Sequence, residues 1–263
     1  MPIVENTTKR KLQNGELALG IGVRQSRTAD HAFLCKTCGF DWLFIDLEHT
    51  SLSLEQTSNM CVAAMAAGIT PFVRVASQAH HHATRLLDVG ALGIIVPDVD
   101  TAEQAAAVVS NCRFPPLGRR SIPSGIPQLL FEPMPARQMM ECINREVLIF
   151  VMLESPAAIE NADMIAATDG IDGVIIGSND LAARIGTPGE FDSPPMQNAF
   201  TAMLEATRRH GKFSGFAGIP DERIQSEYIN QGARFVQCGS DIGFMQSAAT
   251  TRVAHLRNGF APG

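Results

Sequence analysis

The chain has 263 residues, of which 45% are apolar, and a formal net charge of −6. No apolar run reaches the roughly 18 to 20 residues that a membrane-spanning helix needs. The net negative charge and scattered basic residues argue against nucleic acid as a partner. The first ten residues lack the apolar middle of a signal peptide, so we expect a soluble protein of the cytoplasm.

Apolar runs alternate with amphipathic or alanine-rich segments eight times along the chain. The runs predict strands at 18–23, 42–46, 70–75, 92–96, 147–153, 173–176, 213–217 and 234–238. The segments between them predict helices at 28–38, 54–67, 80–88, 101–111, 157–167, 195–210, 221–231 and 241–258. This order predicts an α/β fold, a (β/α)8 TIM barrel that fills residues 1–263 as a single domain. A doubly wound open sheet is the alternative, but Gly20-Ile21-Gly22 lacks the third glycine of its usual phosphate-binding turn.

Residues 113–146 interrupt the alternation with six prolines and are too long for a plain connection. We expect this irregular excursion to have a functional or intersubunit role. One course consistent with the sequence begins over the carboxyl-terminal mouth of the barrel and ends at the opposite end.

The six cysteines are irregularly spaced, which is typical of reduced thiols in a protein that needs no disulfides. Cys35 and Cys38 form a CxxC pair, but no second pair completes a zinc site, so we interpret both as buried structural thiols. The three consecutive histidines at 80–82 point about 100° apart on a helix and are predicted to lie at the surface.

Polar side chains follow several predicted strands at the point where each strand ends. Asp46-Leu47-Glu48-His49 follows the second strand, Glu154 the fifth and Ser178-Asn179-Asp180 the sixth. Each acid alone is typical of a helix N-cap. In a barrel, however, the carboxyl ends of all strands share one mouth. The sequence therefore predicts a site that gathers Asp46, His49, Arg74, Glu154 and Asp180.

Glu154 and Asp180 follow neighbouring strands, and two carboxylates suit Mg²⁺ or Mn²⁺ better than Zn²⁺. Arg74 ends an apolar strand, which predicts an anionic substrate at the mouth; a salt bridge to a barrel acid is the alternative. The chain has four lysines, and none stands at the carboxyl end of a predicted strand. This distribution argues against Schiff-base chemistry.

These motifs resemble the metal-dependent pyruvate aldolases of the HpcH/HpaI family, which act on substrates such as 4-hydroxy-2-oxoheptanedioate and 2-dehydro-3-deoxyglucarate. The resemblance runs from about residue 15 to 250, and its motifs are residues 40–49, 86–91, 93–97, 101–105, 115–120 and 170–181. It implies a class II aldolase that uses Mg²⁺ or Mn²⁺, with Co²⁺ as a further candidate. The substrates would be a 2-oxoacid and an aldehyde.

The resemblance also implies roles for individual residues. Glu154 and Asp180 would hold the metal ion to which pyruvate chelates. Arg74 would stabilise the enolate. Backbone N–H groups near Ser178, Asn179 and Asp180 would receive the substrate carboxylate. His49 would serve proton transfer, with support from Asp46.

Two further residues bear on the predicted assembly and substrate. Asp88 resembles the family's partner for the catalytic histidine, but it precedes the fourth strand, at the wrong end of its own barrel. A neighbouring subunit would have to supply it, and the family forms hexamers with exchanged C-terminal helices. The alternative is that Asp88 ends a helix in an exposed turn.

Met152 stands where the family commonly has glutamine, so a polar contact near pyruvate is missing.

Three arginines are candidates for binding the rest of the substrate. They are Arg24, Arg119 and Arg120, which stand on segments that either reach the mouth or face solvent. Of these, Arg120 is the one that we predict to bind substrate. The sequence does not specify the aldehyde.

The predicted reaction is reversible cleavage of a 4-hydroxy-2-oxoacid into pyruvate, or a close analogue, and an aldehyde. A lyase acting on a CoA thioester is one alternative, although no basic surface segment suggests a site for the CoA phosphates. A non-catalytic barrel that binds a 2-oxoacid is the other.

Overall fold

The computed structural model describes residues 3–260, apart from the side chains of His80 and His81. Within this range eight parallel strands close into a barrel in chain order. They are β1 (Ala18–Val23), β2 (Trp42–Asp46), β3 (Thr70–Arg74), β4 (Gly93–Val96), β5 (Leu148–Leu153), β6 (Gly173–Gly177), β7 (Phe213–Ala217) and β8 (Phe235–Ser240). The predicted (β/α)8 barrel is confirmed, and the predicted strands differ from the observed ones by at most two residues at an end.

Helical segments occur at all eight predicted places, in the predicted order. The helices of the described residues are α1 (Thr7–Gln13), α2 (His31–Thr37), α3 (Leu54–Ala67), α4 (His80–Asp88), α5 (Ala102–Cys112), α6 (Ala136–Glu146), α7 (Pro156–Glu160), α8 (Ala162–Ala167), α9 (Ser178–Arg184), α10 (Pro194–Arg209), α11 (Glu222–Gln231) and α12 (Asp241–Asn258). Of these, α1, α6 and α9 are additional to the predicted ones. Among the described residues, no helix combines the length and apolar character needed to cross a membrane.

Capping boxes fix the start of two of these helices. Ser53 accepts a hydrogen bond from the N–H of Gln56, whose side chain accepts one in return, and Thr101 and Gln104 do the same. These reciprocal bonds satisfy N–H groups that have no partner within the helix. α3 and α5 therefore begin directly after the loops that follow β2 and β4.

The barrel interior is filled by stacked aromatic rings. Trp42 and Phe235 stack with ring centroids 3.8 Å apart, and Phe150 lies 4.3 Å from Phe235. Glycines on adjacent strands leave room for these rings: Gly20 pairs with Trp42, and a Cβ at Gly20 would lie 2.1 Å from the indole. These rings fill the interior of the barrel below the mouth, so the barrel is a packed core and not a pore.

The excursion at 113–146 differs from the predicted course. It begins after α5, and a helix that follows a barrel strand runs back towards the amino-terminal end of the sheet. Arg113 hydrogen-bonds to the carbonyl of Val147, just before β5, and Gln128 bonds to the carbonyls of Leu87 and Ala91 below β4. The interpretation that it begins over the mouth is therefore wrong. Its last third is α6, a regular helix that was not predicted because the segment is polar.

Three other segments differ in detail from the sequence-based prediction. The helix predicted at 157–167 is two short helices, α7 and α8, separated at Asn161, whose side chain donates to the carbonyl of Asp100. α1 and α9 were not predicted.

Cys35 is buried, and burial raises the pKa of its thiol to about 12. Cys38 is exposed, so the prediction that both thiols are buried holds only for Cys35.

Candidate active site

A cavity of about 190 Å³ opens at the carboxyl-terminal mouth of the barrel. Its position is the one that enzymes with this fold use for catalysis. Its wall is built from barrel strands and the loops directly after them: Arg24, Phe44, Arg74, Met152, Glu154, Gly177, Ser178, Asn179, Asp180, Ala217, Gly218, Ile219, Pro220, Gln237, Gly239 and Ser240. The volume suits a short substrate, because sites for drug-sized ligands start near about 300 Å³.

Arg74 and Asp46 form a buried ion pair beneath this cavity. They are directly opposite each other on β3 and β2, and the guanidinium Nε and Nη2 donate to the two carboxylate oxygens at 3.0 and 2.7 Å. Burial raises the pKa of Asp46, but the hydrogen bonds and charge of Arg74 outweigh it and hold that pKa below its usual value. Asp46 is therefore a fixed anion that orients Arg74.

Glu48 completes the set of acids around Arg74. Its Oε2 lies 2.9 Å from Nη1 of Arg74 and 3.7 Å from Nε2 of His49. Burial raises the pKa of Glu48, although the charge of Arg74 opposes this shift. Sequence reasoning gave Glu48 no role of its own, because an acid that follows a strand is typical of many loops.

His49 lies at the rim of the mouth and not in the cavity wall. Its side chain is 51% exposed, and its backbone N–H donates to Asp46 Oδ1 at 3.3 Å. The N–H of Glu48 donates to the same oxygen, so Asp46 also fixes the turn that carries the histidine. The imidazole is thus open to a partner from outside this barrel.

Glu154 and Asp180 line the same cavity from neighbouring strand ends. Glu154 is 2% exposed, and its Oε2 accepts a hydrogen bond from the N–H of Asp98 at 2.8 Å. Gly177 on β6 allows this position, because a Cβ there would lie 2.2 Å from the other carboxylate oxygen. Burial raises the pKa of Glu154 to about 7, and the charges of Asp98 and Asp180 add to the effect.

The two carboxylates fit a divalent cation. Burial disfavours the charged form of Glu154, and a metal ion would supply positive charge that stabilises it. Among the described residues no cluster of three or more histidine, cysteine, aspartate or glutamate side chains forms a complete metal cage. A site with two protein carboxylates, in which the other coordination positions are open to water or substrate, is the pattern expected for Mg²⁺.

The raised pKa of Glu154 has a consequence for stability in the presence of a chelator. A pKa raised from 4.5 to about 7 by folding gives a stabilising contribution that is complete below pH 4.5. That contribution is lost as the pH rises to 7. Relative to Glu154→Gln, we expect the wild-type free energy of unfolding to fall by up to about 3 kcal/mol between pH 4.5 and 8. Urea unfolding of both proteins tests this; parallel pH profiles would contradict it.

Ser178, Asn179 and Asp180 form the first turn of α9, which begins directly after β6. Ser178 is fully buried, and its Oγ has no hydrogen-bond partner although it lines the cavity. A buried hydroxyl without a partner costs free energy unless a ligand satisfies it. The turn therefore presents a hydroxyl without a partner at the cavity, and binding of the substrate carboxylate here stays a prediction.

Two side chains from β1 and β8 complete the mouth. Arg24 follows β1, lines the cavity and lies 3.5 Å from Asp46. Gln237 on β8 donates to the carbonyl of Gly239 and accepts from the N–H of Gly218, so its amide is committed to the wall. The sequence left the position of Arg24 open and gave no signal for Gln237, which stands in an otherwise apolar strand.

The structure does not bring Arg120 to the mouth. Its side chain is fully buried, donates to Asp88 at 2.7 Å and lies over the ring of Phe114 at 4.4 Å. Because the excursion packs at the amino-terminal end of the barrel, Arg120 cannot contact a substrate in the cavity of its own chain. The interpretation of Arg120 as a substrate-binding residue is corrected accordingly. Arg119 lies on the same segment.

The other predicted residues have varied positions. Met152 is buried in the barrel interior and forms apolar wall of the cavity, where the resemblance would place glutamine. Asp88 ends α4 below β4, and 38% of its side chain is exposed. His82 is partly buried with Nδ1 3.1 Å from Ser77 Oγ, whereas the side chains of His80 and His81 lie outside the described part.

Comparison with known proteins gives consistent matches along the chain. A family model described as HpcH/HpaI aldolase/citrate lyase matches residues 25–248. A 4-hydroxy-4-methyl-2-oxoglutarate aldolase of Hapsidospora irregularis is 38% identical over 253 residues, covering 95% of this chain and 94% of that protein. A 2-keto-3-deoxy-L-rhamnonate aldolase of Klebsiella pneumoniae is 33% identical over 256 residues, covering 97% and 95%.

A solved structure gives the same result in three dimensions. The crystal structure of an HpcH/HpaI aldolase from Desulfitobacterium hafniense superposes with a TM-score of 0.91 at 27% identity and covers 97% of each chain. The two relatives named above are aldolases, which are carbon–carbon lyases. The resemblance predicted from the sequence motifs is confirmed: the chain belongs to the HpcH/HpaI aldolase/citrate lyase family.

Proposed function

We propose that this protein is a divalent-metal-dependent aldolase that cleaves a 4-hydroxy-2-oxoacid reversibly into pyruvate, or a close 2-oxoacid, and a second carbonyl compound. The observation that carries the proposal is the charge arrangement of one small cavity. Two carboxylates suited to a metal, Glu154 and Asp180, line it together with Arg74, which Asp46 and Glu48 orient. The aldolase names of the relatives support the same reaction class.

The ion that we expect is Mg²⁺ or Mn²⁺, with Co²⁺ as a third possibility, because the proposed donors are carboxylate oxygens. Glu154 and Asp180 would hold it. When bound, the ion supplies Lewis acidity at the 2-oxo group and so stabilises negative charge there during cleavage. The remaining steps belong to side chains and backbone groups of the protein.

Arg74 donates to the oxygen at C2, where negative charge develops as the bond between C3 and C4 breaks. Ser178 Oγ and backbone N–H groups of the turn at Asn179 and Asp180 receive the carboxylate at C1. His49, through a water molecule, takes the proton from the 4-hydroxyl group as the new carbonyl forms. A proton is then delivered to C3, which gives pyruvate. Asp46 acts through Arg74 and the turn before His49, and is a positioning residue.

The direct test is a pyruvate-release assay. The relatives suggest 4-hydroxy-4-methyl-2-oxoglutarate and 2-keto-3-deoxy-L-rhamnonate as first substrates. We expect release of pyruvate, detected with lactate dehydrogenase, when Mg²⁺ or Mn²⁺ is present and its loss when a chelator is added. No pyruvate from any 4-hydroxy-2-oxoacid would contradict the proposal and favour a barrel that only binds 2-oxoacids.

We also propose that the protein works as a homo-oligomer, with a hexamer expected from the family resemblance. α12 is 18 residues long, and no residue in it is buried within one chain. It exposes a series of large apolar side chains: Phe244, Met245, Val253 and Leu256. Apolar area of this kind is usually covered by another protein surface. A neighbouring chain is the expected cover.

The second part of the assembly proposal is that Asp88 completes the site of a neighbour. Asp88 ends α4 before β4, so the length of β4, about 13 Å for four residues, separates it from the mouth of its own barrel. Its Oδ1 accepts from the buried Arg120, which holds the carboxylate in place. His49 is 51% exposed at the rim of the mouth. Asp88 of one chain would therefore orient His49 of the next.

Subunit mixing tests this arrangement. We expect His49→Gln and Asp88→Asn each to abolish most activity, because each removes one member of the pair; the amide introduced by Asp88→Asn still offers Arg120 an acceptor. In a co-expressed mixture, sites that combine the native His49 of one chain with the native Asp88 of another should restore roughly one quarter of wild-type activity. If the mixture stays as inactive as the single variants, the pair does not cross an interface.

A further inference from the structure

The charges of the cavity wall are distributed between opposite sides of the mouth. Among the described residues, four charged side chains line the cavity: Arg24, Arg74, Glu154 and Asp180. Glu154 and Asp180 follow β5 and β6, whereas Arg24 follows β1. In a closed barrel of eight strands in sequential order, β1 lies four strands from β5 in either direction. Arg24 therefore faces the proposed metal side across the opening.

The two arginines differ in how their donors are used. Arg74 is 5% exposed, and its Nε, Nη1 and Nη2 all lie within 3.0 Å of carboxylate oxygens of Asp46 or Glu48. Arg24 is 42% exposed, and its guanidinium has one ionic neighbour in the described part of the chain, Asp46 Oδ2 at 3.5 Å. That oxygen already accepts from Arg74 at 2.7 Å. Arg24 therefore retains donors for a ligand.

The backbone around Arg24 is held independently of its side chain. The carboxylate of Asp241, at the start of α12, accepts from the N–H groups of Arg24, Gln25 and Ser26 at 2.8 to 3.0 Å. The carbonyl of Arg24 accepts from the side chain of Arg27 at 2.9 Å. A guanidinium carried on a fixed loop loses less entropy when it binds an anion than one on a mobile loop.

On the neighbouring wall, at the end of β8, two polar side chains line the cavity, and both already hydrogen-bond to the protein; Ser240 accepts from the N–H of Gly243 at 3.2 Å. Gln237 is committed to Gly239 and Gly218, as described above. Gly22 leaves the space for it, because a Cβ there would lie 2.7 Å from the Gln237 amide nitrogen. The end of a substrate that reaches β1 therefore meets the guanidinium of Arg24 beside the hydroxyl of Ser240 and the hydrogen-bonded amide of Gln237. The charge of the guanidinium favours a carboxylate over a chain of hydroxyls at this point.

We propose that Arg24 binds a second carboxylate, at the end of the substrate remote from the 2-oxoacid group, and so selects short 4-hydroxy-2-oxo dicarboxylic acids. The inference rests on the proposed aldolase function. In cleavage the C3–C4 bond breaks, the 4-hydroxyl proton leaves, and C3 gains a proton. The products are pyruvate and a carbonyl compound that keeps the second carboxylate. A cavity of about 190 Å³ restricts that compound to a short oxoacid.

The test uses two acceptors of similar size in condensation with pyruvate: glyoxylate, which carries a carboxylate, and glycolaldehyde, which is neutral. Wild type should prefer glyoxylate. Arg24→Met should lower kcat/KM for glyoxylate by roughly 10- to 150-fold, because a hydrogen bond to a charged group contributes about 1.5–3 kcal/mol. It should leave glycolaldehyde unchanged. Arg24→Lys should lose less, since it keeps the charge without the planar fork.

Two controls separate this inference from the proposed function. Arg137→Met changes an arginine that is 90% exposed on α6 and should affect neither acceptor. Deuterium exchange of the pyruvate methyl protons, which needs no acceptor, should be the same in wild type and Arg24→Met. An equal loss with both acceptors, or no loss with glyoxylate, would overturn the role of Arg24. Deuterium exchange of pyruvate at the wild-type rate would in that case still support the aldolase proposal. Absence of exchange in wild type would overturn both.

Discussion

Arg74→Lys should reduce aldol cleavage by about 10²- to 10³-fold while the protein stays folded. The magnitude is typical of removing one preorganised donor to a developing oxyanion. Lysine keeps the positive charge next to Asp46 and Glu48, so the buried acids remain compensated. It cannot reproduce the two parallel bonds to Asp46, at 3.0 and 2.7 Å, and also direct a donor at the substrate.

Exchange of pyruvate methyl protons for deuterium, followed by proton NMR, measures this effect without a second substrate. We expect the exchange rate to fall as much as cleavage does, because both reactions pass through charge at the C2 oxygen. Arg137→Lys is the matched control, since Arg137 is exposed on α6. If Arg74→Lys exchanged protons at the wild-type rate, Arg74 would have no part in stabilising that charge.

Glu154→Gln and Asp180→Asn should each weaken divalent-metal binding by more than about 100-fold and abolish most activity. Changes to groups that only support a metal ligand already cost about 10- to 100-fold, so loss of a direct ligand should cost more. Glutamine retains a carbonyl oxygen for the N–H of Asp98, which keeps the strand end in place. It also removes a carboxylate that is costly to bury, so the metal-free variant should be no less stable than wild type.

Titration calorimetry with Mn²⁺ measures the affinity directly. The control is Glu205→Gln, because Glu205 is an exposed acid on α10, away from the mouth. Wild type and Glu205→Gln should bind Mn²⁺ alike. Unchanged Mn²⁺ affinity in both Glu154→Gln and Asp180→Asn would mean that the ion binds elsewhere, and would remove the basis for the proposed metal site.

The sequence predicted the barrel well because each element carries its own local signal. Ala18–Val23, Trp42–Asp46 and Phe213–Ala217 are apolar runs between polar breaks, and the predicted bounds match the strands residue for residue. α3 and α5 begin directly after their N-cap residues, Ser53 and Thr101, where capping boxes are visible in the sequence. Burial on both faces of a parallel strand makes such runs distinct from amphipathic helices.

The candidate site followed from topology, which brings strand ends together regardless of their separation in sequence. Arg74, Glu154 and Asp180 line one cavity for this reason. Positions that depend on long-range side-chain contacts could not be predicted in the same way. The burial of Arg120 against Asp88 and Phe114 follows from the course of the excursion, which no local pattern encodes.

The metal dependence of pyruvate enolisation tests the central claim most directly, since it needs no knowledge of the second substrate. Wild-type protein is freed of metal with a chelator, and exchange of the pyruvate methyl protons in deuterium oxide is followed by proton NMR. We predict no exchange without metal, and exchange restored by Mg²⁺ or Mn²⁺ in wild type but not in Glu154→Gln. Exchange that proceeds equally well without metal, or none under any condition, would contradict the account.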